Sequence, residues 1–289
     1  MKMGFYPGCS LKGSSREFNE SLCAVMDKLG VELEEVPDWN CCGATAAHNL
    51  NHALSLSLPA RILALAEGAG MQEIAVPCSA CYSRLVMTRH ELQENEALKA
   101  EIADIIEMDL ALNAVPINVI QALDRALEGA SLESLVVAPL AYKVACYYGC
   151  LMVRPPKVLR FDQPEDPMTM DRMMERVGAE PIDWAFKVEC CGAGFSVSRT
   201  DLVAKLCKPI VTDAVKRGAE ALIVACPMCQ SNLDMRRCAI KGMSEAEAHI
   251  PVLYITQAIG LALGIDRKDL GLQRHLVKVA LPRRAVVGA

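Results

Sequence analysis

A parallel α/β protein made of two tandem copies of one strand–helix unit is the fold the sequence predicts, and three observations predict it. Strand-like apolar runs alternate with helix-like segments, the pattern of a parallel sheet with right-handed crossovers. A five-cysteine set occurs twice, as Cys9, Cys41, Cys42, Cys78 and Cys81 and then as Cys150, Cys190, Cys191, Cys226 and Cys229. Each set opens on Tyr-x-Gly-Cys, passes through Cys-Cys-Gly-Ala and closes on Cys-x-x-Cys after an apolar run. The shift from Cys9 to Cys150, about 141 residues, divides the chain into pseudo-symmetric copies, residues 1–138 and 139–289.

In the first copy MGFY reads as a short strand leading into Gly8-Cys9. EFNESLCAVMDKLG has helical periodicity and stops on Gly30, a residue that ends helices by turning left-handed. VELEEV alternates as a strand. The Cys-Cys-Gly at 41–43 precedes an Ala/Leu-rich helix from about Ala46 to Glu67. IAVP is a third strand, running into Cys78-x-x-Cys81 and another helix. Residues 90–135 read as a helical stretch joining the copies.

The second copy repeats the order. YKVACYYGC gives strand then cysteine, and MTMDRMMERVG gives a helix ending on Gly178. Cys-Cys-Gly at 190–192 precedes the helix DLVAKLCKPIVTDAVKRG, and ALIVACPMC gives strand and Cys-x-x-Cys. The intervening VRPPKVLRFDQPEDP, with Pro155, Pro156, Pro164 and Pro167, is expected to wrap the second site as an extended flap. Sites in parallel sheets form beyond the carboxyl ends of strands. The cysteines of each copy fall there, so they should converge. The helices that follow should aim N-terminal N–H groups at them and stabilise thiolates.

Composition excludes several classes. With 289 residues, 52% hydrophobic and 22% charged, and a formal net charge of −5, the chain lacks the basic stripe of a nucleic-acid binder. Charges such as Arg61 and Lys143, or prolines, break every apolar stretch before the roughly 18 residues of a membrane span. MKMGFYPGC carries no apolar export segment. Fourteen cysteines without such a segment lead us to expect reduced thiols in a cytoplasmic protein with no direct membrane insertion. The basic tail (Arg267, Lys268, Arg274, Lys278, Arg283, Arg284) reads as solvated surface.

Thiolates grouped in this way are ligands for soft, thiophilic iron or zinc. Five per half is one more than a tetrahedral ion needs, which favours a polynuclear metal–sulfur site. Adjacent cysteines in a strand would face opposite ways, but a following glycine permits a turn that brings both sulfurs to one side. A structural zinc protein with two cysteine-rich modules remains the rival on these residues alone.

On both Tyr-x-Gly-Cys motifs, both Cys-Cys-Gly turns and both Cys-x-x-Cys motifs, the chain resembles the B subunit of heterodisulfide reductase, within the wider family of duplicated CCG (cysteine-rich) domains. The resemblance covers essentially the whole length. It implies two noncubane [4Fe-4S] clusters, each held by one five-cysteine set, with no catalytic group beyond those ten ligands. It implies clusters facing across a cavity where a small-molecule (hetero)disulfide such as CoM-S-S-CoB is reduced to two thiols. No Gly-x-Gly-x-x-Gly follows a predicted strand, so electrons must come from another protein. The resemblance supplies it: the C-type iron–sulfur subunit of the same complex and, beyond it, the A-type flavin-containing subunit. The alternative is a non-catalytic iron–sulfur electron-transfer subunit of a larger redox complex.

Cys23, Cys146, Cys207 and Cys238 fall outside the repeat and read as small hydrophobes. His48 and His52, spaced to share a helix face, read as surface or capping residues, with a metal pair or proton donor as the alternative. Lys12, Arg84, Arg154 and Arg199 lie close to the cysteines and are candidates to hold an anionic substrate, against solvated or salt-bridged roles.

Overall fold

Eight short strands form two sheets of identical topology in a computed structural model that describes residues 1–44, 46–128 and 131–281. The first contains β1 (Lys2–Phe5), β2 (Glu32–Glu35), β3 (Glu73–Val76) and β4 (Val115–Asn118), in the order β2-β1-β3-β4. The second contains β5 (Lys143–Tyr147), β6 (Glu180–Pro181), β7 (Ala221–Val224) and β8 (Val252–Tyr254), in the order β6-β5-β7-β8. Every pairing is parallel. The tandem α/β reading is borne out. In each sheet the chain leaves the first strand for one edge and returns on its other side, making a switch point between β1 and β3 and another between β5 and β7.

Local chemistry explains the elements. Gly30 and Gly178 take φ of +73° and +79° and end the helices Arg16–Lys28 and Thr169–Arg176. β2 is an edge strand with three of its four residues exposed, hence its charged sequence. β7 is buried throughout and reads as an unbroken apolar run. Two departures from the sequence reading concern the first half. The stretch 90–135 is not all helix: after Ser79–Glu94 and Glu96–Ile106 it contains β4, an edge strand that tolerates Pro116, and then the helix Val119–Ala126. The helix expected from Ala46 is broken into Ala47–Leu50 and His52–Gly68. Asn51 is extended between them, and its side chain accepts from Leu54 N to cap the second helix.

The halves share a core. One apolar cluster runs from Met3, Phe5 and Phe18 through Leu123 to Tyr147, Ile223 and Ile259. Phe18 and Tyr254 stack across the boundary with centroids 4.1 Å apart, and Ser21 Oγ lies 2.7 Å from Thr256 Oγ1. Loop 153–167 also crosses over. Its Leu159 is buried in the first half's own cluster, with Tyr6, Val36 and Leu63. The loop is therefore a strap between the halves, not a flap on the second site alone. At its end, buried Lys187 Nζ lies 2.8 Å from Asp166 and 3.2 Å from buried Asp171, and donates to Pro167 O. The tail packs back through Arg274–Glu20 (2.7 Å) and buried His275 against Gln257, so it is not simply solvated. Arg283 and Arg284 lie outside the described residues.

Candidate metal centre

Each cysteine group lies in the segment that follows a strand's carboxyl end, as the sequence predicts. Cys9 and Cys150 follow β1 and β5, at the switch points. Cys78 and Cys226 follow β3 and β7 and cap the helices Ser79–Glu94 and Pro227–Leu233, with Cys81 and Cys229 in the first turns. The Cys-Cys-Gly turns lie beyond β2 and β6, and Gly43 and Gly192 take φ of +72° and +78°. A Cβ on Gly43 would come within 2.8 Å of Ala47 and Leu58, so a side chain there is doubly disfavoured.

These positions gather the sulfurs. Cys42 Sγ is 3.1 Å from Cys81 Sγ, and Cys191 Sγ is 3.5 Å from Cys229 Sγ. The free thiols of Cys41 and Cys42, and those of Cys150 and Cys190, are close enough to influence each other's ionisation. Cys78 and Cys226, both free thiols, influence each other's ionisation across the boundary between halves. Cys9 is joined to its set by electrostatic reach to Cys41. Among the described residues no three His, Cys, Asp or Glu side chains form a ready mononuclear cage. The all-sulfur donor set suits a larger thiolate-bound group instead. Glycine makes the room: a Cβ on Gly8 would sit 3.3 Å from Cys81 Sγ, and one on Gly149 3.0 Å from Cys229 Sγ.

The environment divides the thiols, favouring the thiolate at three of them and the protonated form at five. Hydrogen bonds from Cys41 and Cys81 draw Cys42 down to about 3. Cys150, then the N–H groups of Gly192 and Ala193, draw Cys190 down to about 6 despite partial burial. Cys229 and then Cys78 hold Cys226 well below the usual thiol range. Cys41, Cys78, Cys81, Cys150 and Cys229 are pushed up, above all by hydrogen bonds with neighbouring sulfurs and then by burial. Beside them, Tyr6 donates from its hydroxyl to Asn40 O (2.9 Å) and Tyr147 to Glu189 O (2.5 Å).

A cleft of about 660 Å³ opens between the halves. Its walls are the residues next to the cysteines: Ala44 and Ala193-Gly194 after the two Cys-Cys-Gly turns, Ala80 and Met228 inside the two Cys-x-x-Cys motifs, and Leu151 after Cys150. Met87 and Phe195 add apolar surface, Arg84, Arg154 and Glu91 add charge, and His52 adds an imidazole. The structure thus sorts the four basic candidates. Lys12 pairs with Glu35 (2.6 Å) and Arg199 with Asp201 (2.8 Å), both at the surface. Arg154 reaches the cleft but pairs with exposed Glu165. Arg84 lines the cleft, acts on Cys42 through its charge, and has no ion pair or hydrogen bond among the described residues.

The break at Asn51 separates the two histidines, which therefore do not share one helix face. His52 lines the cleft, 3.0 Å from Glu91, while the His48 side chain lies outside the described residues. Of the four extra cysteines, Cys207 is nearest the sites: it is buried and donates to Cys191 O (3.5 Å). Cys146 is buried within β5, and Cys23 and Cys238 are exposed. Sequence reading gave no role to Asn232, which is buried and donates to Cys191 O (2.9 Å).

Comparison with known proteins follows this geometry. The CCG cysteine-rich domain matches residues 3–86 and again 144–234. The chain is 30% identical over 280 residues to the 8-methylmenaquinol:fumarate reductase membrane anchor subunit of Wolinella succinogenes, covering 96% of this chain and 97% of that one. It is 28% identical over 284 residues to the B subunit of the ferredoxin/F(420)H(2)-dependent CoB-CoM heterodisulfide reductase of Methanosarcina acetivorans, covering 96% and 94%. A hypothetical protein from Helicobacter pylori has the same fold, with TM-score 0.73 and 14% identity over 97% of this chain; the chain spans 53% of that protein. Among the described residues no helix is long and apolar enough to cross a membrane.

Proposed function

Because the chain belongs to the cysteine-rich CCG domain family and carries the domain twice, we propose that it is the disulfide-reducing subunit of a redox complex, of the heterodisulfide reductase B type. One observation carries the reading: segments next to both cysteine sets wall a single cleft. Cys9, Cys41, Cys42, Cys78 and Cys81 would hold one noncubane four-iron cluster, and Cys150, Cys190, Cys191, Cys226 and Cys229 the other. Such clusters, when bound, supply one-electron carriers and thiophilic iron.

The chain's own residues do the rest. Arg84, half-buried and without an ion pair among the described residues, anchors an acidic group of the substrate. Met87, Phe195, Met228 and Leu151 cover its apolar body and keep water from the sulfurs. His52 is the imidazole on the cleft wall and the candidate proton carrier. The overall change balances as one disulfide, two electrons and two protons giving two thiols. The electrons enter from an iron–sulfur partner and, behind it, a flavin-containing one. The protein works in the cytoplasm.

A second reading has its own support. The Wolinella relative's name gives it a quinol:fumarate reductase complex and no disulfide. In that reading the chain only passes electrons and the cleft binds no disulfide. The test is anaerobic assay of the co-purified complex with an acidic disulfide and a low-potential reductant. Two thiols formed per disulfide consumed support reduction at the cleft; electron passage without thiol formation supports the carrier.

A further inference from the structure

We infer that Tyr6 and Tyr147 are positioning residues for the two Cys-Cys-Gly turns: each phenol anchors the peptide carbonyl immediately ahead of the paired cysteines and so sets the direction in which their sulfurs face. The acceptors are Asn40 O, one residue before Cys41, and Glu189 O, one residue before Cys190. The bond recurs although the intervening chain differs. Tyrosine and acceptor are 34 residues apart in the first half and 42 in the second, yet the hydroxyl ends on the same carbonyl. A bond imposed by loop length would have slipped with those eight residues. One imposed by the site would not.

The other end of each turn is fixed as well, by the left-handed glycines Gly43 and Gly192. Between an anchored carbonyl and a left-handed glycine, the two cysteines have little freedom, which is what adjacent sulfurs need to serve one site. Both rings are buried inside their sets. Tyr6 is within electrostatic reach of Cys9, Cys41, Cys42 and Cys81, and Tyr147 of Cys150, Cys191 and Cys229. Their hydrogens are committed to carbonyls, so they orient the site and do not supply protons. Tyr148, next in sequence, is a built-in control: its hydroxyl donates to Asp171 and not to a carbonyl of the turn.

The inference needs only the geometry, so its first test uses metal-free full-length protein and is independent of the disulfide reading. In Tyr6→Phe, brief iodoacetamide labelling followed by peptide mass spectrometry should modify the 41–42 cysteines several-fold faster, with the 190–191 cysteines unchanged. Tyr147→Phe should do the reverse, and Tyr148→Phe should alter neither. In protein loaded with iron and sulfide, each phenylalanine variant should shift the paramagnetic resonance signal of one site and leave the other. Folded Phe variants with wild-type labelling and unshifted signals overturn the inference. Where a Phe variant does not fold, p-aminophenylalanine at the same position restores an N–H donor. Recovery of fold and slow labelling supports the anchor; a chain that stays unfolded or labels fast with the donor restored overturns it.

Discussion

Three residues past each Cys-x-x-Cys the halves part company. The first half has Arg84, which lines the cleft without a partner among the described residues; the second has Asn232, fully buried and tied to Cys191 O and to Ser196. Three residues ahead of each cysteine pair the contrast repeats. Asp38 is exposed and pairs with Arg61, whereas Lys187 is buried between Asp166 and Asp171. One scaffold has thus been finished in two ways. The second half is braced from inside, and the first leaves its cation on the cleft wall without a protein partner among the described residues. Duplication kept the sulfurs and let the residues around them specialise.

The largest effect should come from the part the halves share. Cys42→Ala and Cys191→Ala should each remove about half of roughly eight iron atoms per chain, as two four-iron sites require. Iron and sulfide analysis of anaerobically purified, folded protein checks this. Loss of all iron in either variant would mean one site shared through the Cys78–Cys226 contact.

Next comes the brace. Lys187→Met leaves Asp171 buried with Tyr148 as its remaining polar side-chain partner and should cost about 3–5 kcal/mol in denaturant unfolding. Asp38→Ala, at the matching position, removes an exposed pair and should cost less than about 1 kcal/mol. Equal costs would erase the contrast between a braced and an open half. A smaller difference should separate Arg84→Gln from Asn232→Ala. The first should raise KM for an acidic disulfide about 10- to 100-fold with little change in melting temperature, as expected for a lost charge-assisted bond. The second should lower stability by about 1–3 kcal/mol.

The halves should also differ in thiol chemistry when metal-free. Cys190 and Cys41 are both exposed, but Cys190 is held near 6 and Cys41 is raised. Below pH 6 Cys190 is protonated and unreactive; above it the thiolate forms, and alkylation should level off by about pH 7. Cys41 should go on gaining rate into the alkaline range. At pH 7 Cys190 should react about tenfold faster, a margin reduced by the weaker nucleophilicity of low-pKa thiolates. Profiles that coincide would contradict the asymmetry.

The grouping of the ten repeated cysteines beyond the strand ends was legible in the sequence because it lies in residue identity and spacing, and the repeat gave each of the ten a counterpart. The tyrosines were visible as a pattern, but their role depends on carbonyls 34 and 42 residues away. β4 holds Pro116, which argues against a strand, and β8 at three residues is too short for alternation to register. Local reading placed Lys12, Arg84, Arg154 and Arg199 on equal terms, since only the tertiary fold decides which cation meets a carboxylate and which meets the cleft. The crossing of Leu159 into the first half's core is likewise set by packing, and a proline-rich loop carries no mark of where it lands.

The central claim is that the two unlike halves act together on one disulfide. Its most direct test is thiol production by the co-purified complex under anaerobic conditions, with wild-type chain, Cys42→Ala and Cys191→Ala compared. The account predicts two thiols per disulfide from the wild type, and none from either variant, though each keeps half its iron. Undiminished thiol formation with one site lost, or no thiol from a wild-type complex that still passes electrons, would contradict it.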